Sequence, residues 1–196
     1  MLDVLKRDVF LVKEHTGIFK AANNYDIYDP ATGAVVMECR EENLGFFTKM
    51  LRFTDYKTYT PFDVQVRTPQ GQQVVRVTRG ISIFLSKVQV FDEKDAYIGG
   101  FNQKLLSIGG AFTVLDASGS PVCELKGSWT GWDFRFLSGG VELAHVSKKW
   151  AGVGKELFTS ADNYVLEISK SVAPDSAARQ LILAAVMCID MVLKER

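Results

Sequence analysis

Histidine and cysteine are both scarce. His15 and His145 are the only two histidines, and Cys39, Cys123 and Cys188 are the three cysteines. Neither histidine sits in a metal-ligand spacing, and no GxSxG, P-loop or dinucleotide fingerprint occurs, so the chain is not expected to be an enzyme. An odd number of cysteines with no CxxC pair argues against a disulfide framework or a zinc site, which leaves each thiol as a small buried hydrophobe. An excess of charge of either sign is also missing: 23 basic residues balance 23 acidic ones. No nucleic-acid partner is therefore expected, and no broad electrostatic pull toward anionic surfaces; any such contact must be local. The opening MLDVLKRDVFLVKEH places Asp3 early and interrupts its apolar residues with charge, so it is not a secretory leader, and neither end carries a lipidation signal. A reducing, cytoplasmic setting follows as the expectation.

What is present suits a buried core. A chain of 196 residues, 47% hydrophobic and 23% charged, reads as one globular domain over 1–196. Within it the same small unit returns five times: YDIYDPATGAVVMECR from Tyr25, FDVQVRTPQGQQVVRVTR from Phe62, VQVFDEKDAYIGGFNQK from Val88, FTVLDASGSPVCELKG from Phe112, and FRFLSGGVELAHVSKKW from Phe134. Each is an alternating run, a polar turn and a second alternating run. Asp, Pro and Gly suit the turn because they tolerate or pre-set its dihedrals, and the alternation turns one face of each strand inward. With DVFLVKEH near the start and YVLEI near the end, a meander over 8–169 of about eleven or twelve antiparallel strands is expected. A propeller would need about 40 residues per blade. Closure into a barrel fits better, because it removes the exposed edges.

From Asp175 the period changes, and PDSAARQLILAAVMCIDMVLKER predicts a helix over 175–195, started by Pro174 and Asp175 and ended by Lys194 and Arg196. Leu181 to Val186 are apolar in every direction around the axis, so protein or lipid must surround them. The uncharged stretch Gln180–Ile189 falls well short of the ~20 residues that a spanning helix needs, and Asp190 follows at once. The reading is a mainly β closed antiparallel barrel of about 12 strands around a buried hydrophobic C-terminal helix.

Read together, GSWTGWDFRF, HVSKKWAGVGKELFTSADNYVLEI and LAAVMCIDMVLKE resemble the phospholipid scramblase family and its LURP-one-related members of bacterial type, which share the tubby-like barrel. The resemblance is strongest from Phe112 to Glu195. It implies a twelve-stranded barrel around a C-terminal helix and an association with calcium-dependent, energy-independent movement of phospholipids between leaflets, or with phosphoinositide headgroup binding. The family's calcium segment falls on TSADNYVLEIS, whose oxygen donors are Asp162, Asn163 and Glu167; hard cations want six to eight oxygens. Ser160 stands where that segment opens with an acidic residue. Calcium apart, no cofactor is implied.

Several side chains admit two readings. Lys148, Lys149 and Lys155, with Arg135 and Trp150, either form a patch for the phosphates of anionic phospholipid or decorate a solvated strand end. Trp129 and Trp132 either grip a headgroup or fill the core. Asp190, a carboxylate in an apolar helix, must be paired, protonated or near the surface; it is expected to accept hydrogen bonds from the barrel and hold the helix in register. Two classes of function stay open: a scramblase-related, lipid-interacting barrel peripheral at the membrane, or a soluble module that binds a small ligand or protein and moves no lipid.

Overall fold

The computed structural model describes residues 2–14, 24–41, 61–80, 87–103, 112–128, 132–149 and 163–193. Twelve strands follow in chain order: β1 (Val9–Glu14), β2 (Tyr25–Tyr28), β3 (Val35–Arg40), β4 (Phe62–Arg67), β5 (Gln73–Arg79), β6 (Lys87–Phe91), β7 (Tyr97–Gln103), β8 (Phe112–Asp116), β9 (Pro121–Ser128), β10 (Asp133–Ser138), β11 (Val141–Ser147) and β12 (Asn163–Ile168). Each pairs antiparallel with its neighbours in sequence, and β1 also pairs with β12, so the sheet closes into a barrel. The five hairpins and two flanking strands expected from the alternation are all there. Because direction reverses at every strand, the five hairpin turns fall at one rim, the turn rim. The strand ends that lead from one hairpin to the next lie at the other, the loop rim.

Turn chemistry explains the first rim. The backbone N–H of Asp92 donates to Ala96 O at 3.0 Å, and that of Asp116 to Ser120 O at 2.9 Å. The carboxylate of each then accepts two further N–H groups, from Lys94 and Ala96 or from Ser118 and Ser120, at 2.8 to 2.9 Å. The backbone reverses through a positive φ at Asp95 (60°) and Gly119 (82°), and a register shift follows in each hairpin. An aspartate three residues before a left-handed position is thus a local code for a turn with a bulge. At Gly139 (56°) and Gly140 (86°) the turn is tighter, with positive φ at both central residues.

Alternation places the inward face in the core: Phe10 and Val12, Tyr25 and Ile27, Met37 and Cys39, Phe62, Val64 and Val66, Val88 and Val90, Phe134 and Phe136, and Tyr164, Leu166 and Ile168 supply it strand by strand. Cys39, Cys123 and Cys188 are buried free thiols. Close backbone approach is built in at Gly127, where a Cβ would meet Asp133 O at 2.2 Å and Phe134 Cδ1 at 2.6 Å.

The C-terminal helix, α1 (Ala177–Leu193), fills this barrel. Every residue from Leu181 to Ile189 is at most 3% exposed, and such a run covers the whole circumference of a helix, so the strands enclose it on all sides. It comes nearest to β5, β7 and β8. Each enclosed Leu, Ile or Val contributes about 1.5 to 3 kcal/mol relative to exposure. The start lies two residues later than Asp175 because Ser176 takes the capping position: its Oγ accepts the N–H of Ala178 at 3.1 Å, as serine does at a helix start. Among the described residues no helix is long and apolar enough to cross a membrane. Residues 194–196, with the cations expected at the helix end, lie outside the described residues.

Candidate functional site

Of the residues singled out in the sequence, Trp132, Lys148, Lys149 and Asn163 lie at the loop rim of β10, β11 and β12. Trp132 precedes β10 with a positive φ of 47°, a conformation that costs an indole-bearing residue and persists only when its surroundings hold it. Here they do. Its ring stacks on Tyr164 of β12, with centroids 5.5 Å apart, and meets Phe134 edge-on at 6.0 Å. Lys148, just past β11, donates its N–H to Trp132 O at 3.2 Å and places Nζ 4.2 Å from the indole centroid, within cation–π range. Trp132 is partly buried against the core and ties three strands together at the rim.

Lys149 is the outward, exposed neighbour. Its N–H bonds to Ser147 Oγ at 2.9 Å, which orients the chain as it leaves β11. Arg135 stands apart from these lysines, on the outer face of β10. Its guanidinium lies 3.0 Å from Glu142 Oε2 and 3.8 Å from Asp133 Oδ1. His145, opposite Arg135 on β11, sets Nε2 2.9 Å from Asp133 and Nδ1 3.8 Å from Glu167. The outer wall here is thus a mixed-charge lattice, and Arg135 is one member of it. Trp129, Trp150, Lys155 and Asp162 lie outside the described residues, as does the side chain of Asp190.

Asn163 and Glu167 both belong to β12 and share the parity opposite to the core residues Tyr164 and Leu166, Asn163 buried and Glu167 partly exposed. Four residues of extended strand separate their Cα atoms by about 13 Å, whereas calcium holds its oxygens at about 2.3 to 2.6 Å. The two do not make a cation site by themselves, and Glu167 already faces His145. Among the described residues no cluster of His, Cys, Asp and Glu is arranged to hold a metal ion.

Two buried arginines escaped the sequence reading. Arg179, in the first turn of α1, is 1% exposed; Nη2 lies 2.7 Å from Asp8 Oδ1, while the carbonyls of Leu5, Arg7 and Val172 accept its other N–H groups at 2.8 to 3.0 Å. A cation at the positive pole of a helix opposes the dipole, and that was the available signal that Arg179 needs partners. Arg79 shares the inward parity of Val75 and Val77 on β5, is 3% exposed, and holds its guanidinium 4.7 Å from the Phe62 ring centroid. Burial pushes the neighbouring Cys188 thiol up to about 12, against a pull downward from Arg79. Burial alone raises Cys123 to about 12.

A closed twelve-stranded antiparallel barrel with a helix for its core defines the tubby-like class expected from the sequence. A family model described as Scramblase matches residues 5–196, nearly the whole chain, and the chain belongs to the scramblase family. No curated protein and no solved structure matches it. Family membership supports a lipid-related role in general terms.

Proposed function

We propose that the protein is a peripheral, lipid-interacting barrel that meets anionic phospholipid at its loop rim, acting as one domain over 1–196. The observation that carries this reading is the scramblase family match over residues 5–196. The enclosure of α1 shapes how contact is made: the apolar helix is already surrounded by strands, so the lipid-facing surface is the barrel's exterior. Lys148, Lys149 and Lys155, with Trp150, form the headgroup contact in this reading, and the exposed side chain of Lys149 supports it. Arg135 takes part through the charge lattice that it shares with Asp133 and Glu142. Asp162, Asn163 and Glu167 bring calcium into play only if the strand start rearranges, since extended β12 keeps the last two apart.

Cosedimentation with vesicles of phosphatidylcholine alone, and with added phosphatidylserine or phosphoinositide, tests the reading with and without calcium. Binding to the anionic vesicles that Lys149→Glu weakens several-fold is the expected result; no binding to any vesicle ends it. A vesicle assay following fluorescent lipid between leaflets then separates transport from binding. Rapid transfer establishes scrambling, and binding without transfer leaves a lipid-binding module.

A further inference from the structure

The groups that seat the start of α1 come from both sides of the turn rim. Arg179 uses its guanidinium on Asp8 and on the carbonyls of Leu5, Arg7 and Val172. Three of those four acceptors belong to the segment Leu2–Asp8, which precedes β1 and buries Leu2, Val4 and Leu5. The next residue, Gln180, reaches the other way: its Nε2 donates to Val74 O of β5 at 3.0 Å and to Glu93 Oε2 in the β6–β7 turn at 2.9 Å. Since β1 and β5 stand four strands apart around the closed sheet, the start of the helix is clamped between two separate parts of the wall.

The segment Leu2–Asp8 is itself held lightly on its outer flank. Arg7 Nε lies 3.3 Å from Asp29 Oδ2, and an open groove of about 420 Å³, lined by Leu2, Val4, Arg7, Val35, Pro69 and Gln72 among others, separates it from the β2–β3 and β4–β5 turns. Were this segment to lift, the buried guanidinium would lose three acceptors at once. A buried charge stripped of its partners is strongly unfavourable, and a helix N-terminus offers it none in compensation. Water would have to replace those acceptors at the opened rim, and the first helical turn, which carries Arg179, would lose its hold on this side of the wall.

We infer that Leu2–Asp8 is a strap closing the turn rim over the core helix, and that strap and first helical turn open together through Arg179 while the barrel wall stays shut. Hydrogen exchange of the full chain tests this with Asp8→Asn, Arg179→Met and the double variant. Asp8→Asn keeps an acceptor oxygen but removes the charge; it should raise exchange about tenfold or more both in residues 2–8 and in 172–182, with β4 to β9 unchanged. The double variant should exchange no faster than the faster single one. Acceleration of the strap without the helix start, effects that multiply in the double variant, or a uniform rise across all strands would each overturn the inference. If Arg179→Met does not fold, Leu5→Ala takes its place, because it loosens the strap without touching the guanidinium. Unchanged protection of 172–182 in that variant overturns it as well.

Discussion

The two rims of this barrel are built by different rules. Within the hairpins of the turn rim, residues close to one another in sequence satisfy each other: Asp92 and Asp116 each organise their own turn, and the Gly139–Gly140 pair makes a two-residue reversal. At the loop rim, the contacts that join strands are between distant residues: Trp132 with Tyr164 and Lys148, and Arg79 with Phe62. A turn whose partners lie within five residues can be read from one line of sequence. A rim assembled from several strands cannot, and this is the rim on which the proposed lipid contact falls.

The largest break in this comparison comes from charging the element that joins both rims. Val186→Asp places a carboxylate in the middle of the enclosed helix, where no water reaches; cooperative thermal unfolding should disappear, or soluble yield collapse, and a normal melting curve would show that the helix can leave the barrel without harm. A local break follows at Gly127, beside β10. Gly127→Ala presses a methyl to within 2.2 Å of Asp133 O and should cost about 1 to 3 kcal/mol in urea unfolding. The same substitution at Gly80, where nothing lies within 4 Å, should change stability far less.

At the turn rim the test is pH. Partial burial raises the Asp29 carboxyl, but hydrogen bonds from the Ala31 N–H and from Arg7, with the charge of Arg7 and a further bond from Thr32, outweigh it and hold the group below its ordinary value. Its contribution is therefore present above the ordinary carboxylate range and is lost as pH falls through the depressed folded value. Asp29→Asn should lower stability at neutral pH, and the gap from wild type should close under acid. A gap that stays constant with pH would remove the carboxylate from the account. The smallest effect is a reactivity: with Cys123 and Cys188 both raised to about 12 by burial, neither should be alkylated in the native protein at pH 8, and both should react in denaturant.

Much of the architecture was legible because its causes are local or periodic. Alternation marked the strands, the Asp and Gly turns marked their joins, and the shortness of the Gln180–Ile189 run pointed to an enclosed helix. The helix start was misplaced by two residues because Pro174 and Asp175 look like a beginning, while Ser176 is the group that bonds to the first turn. Arg179 was missed for a different reason. Its strap partners lie 171 to 174 residues away, and no window of sequence contains both ends of such a bond. Arg135 shows the same limit on the outer wall: its spacing suggested company for the lysines, but strand pairing set it beside Glu142 and Asp133.

By itself, then, the order of residues determined that strands alternate inward and outward, where the hairpins turn, and that one greasy helix needs cover on every side. Each of these depends on periodicity or on neighbours along the chain. Only the tertiary structure decided what clamps that helix and which cations stand beside which carboxylates, because closing the sheet brings together groups that the chain keeps far apart.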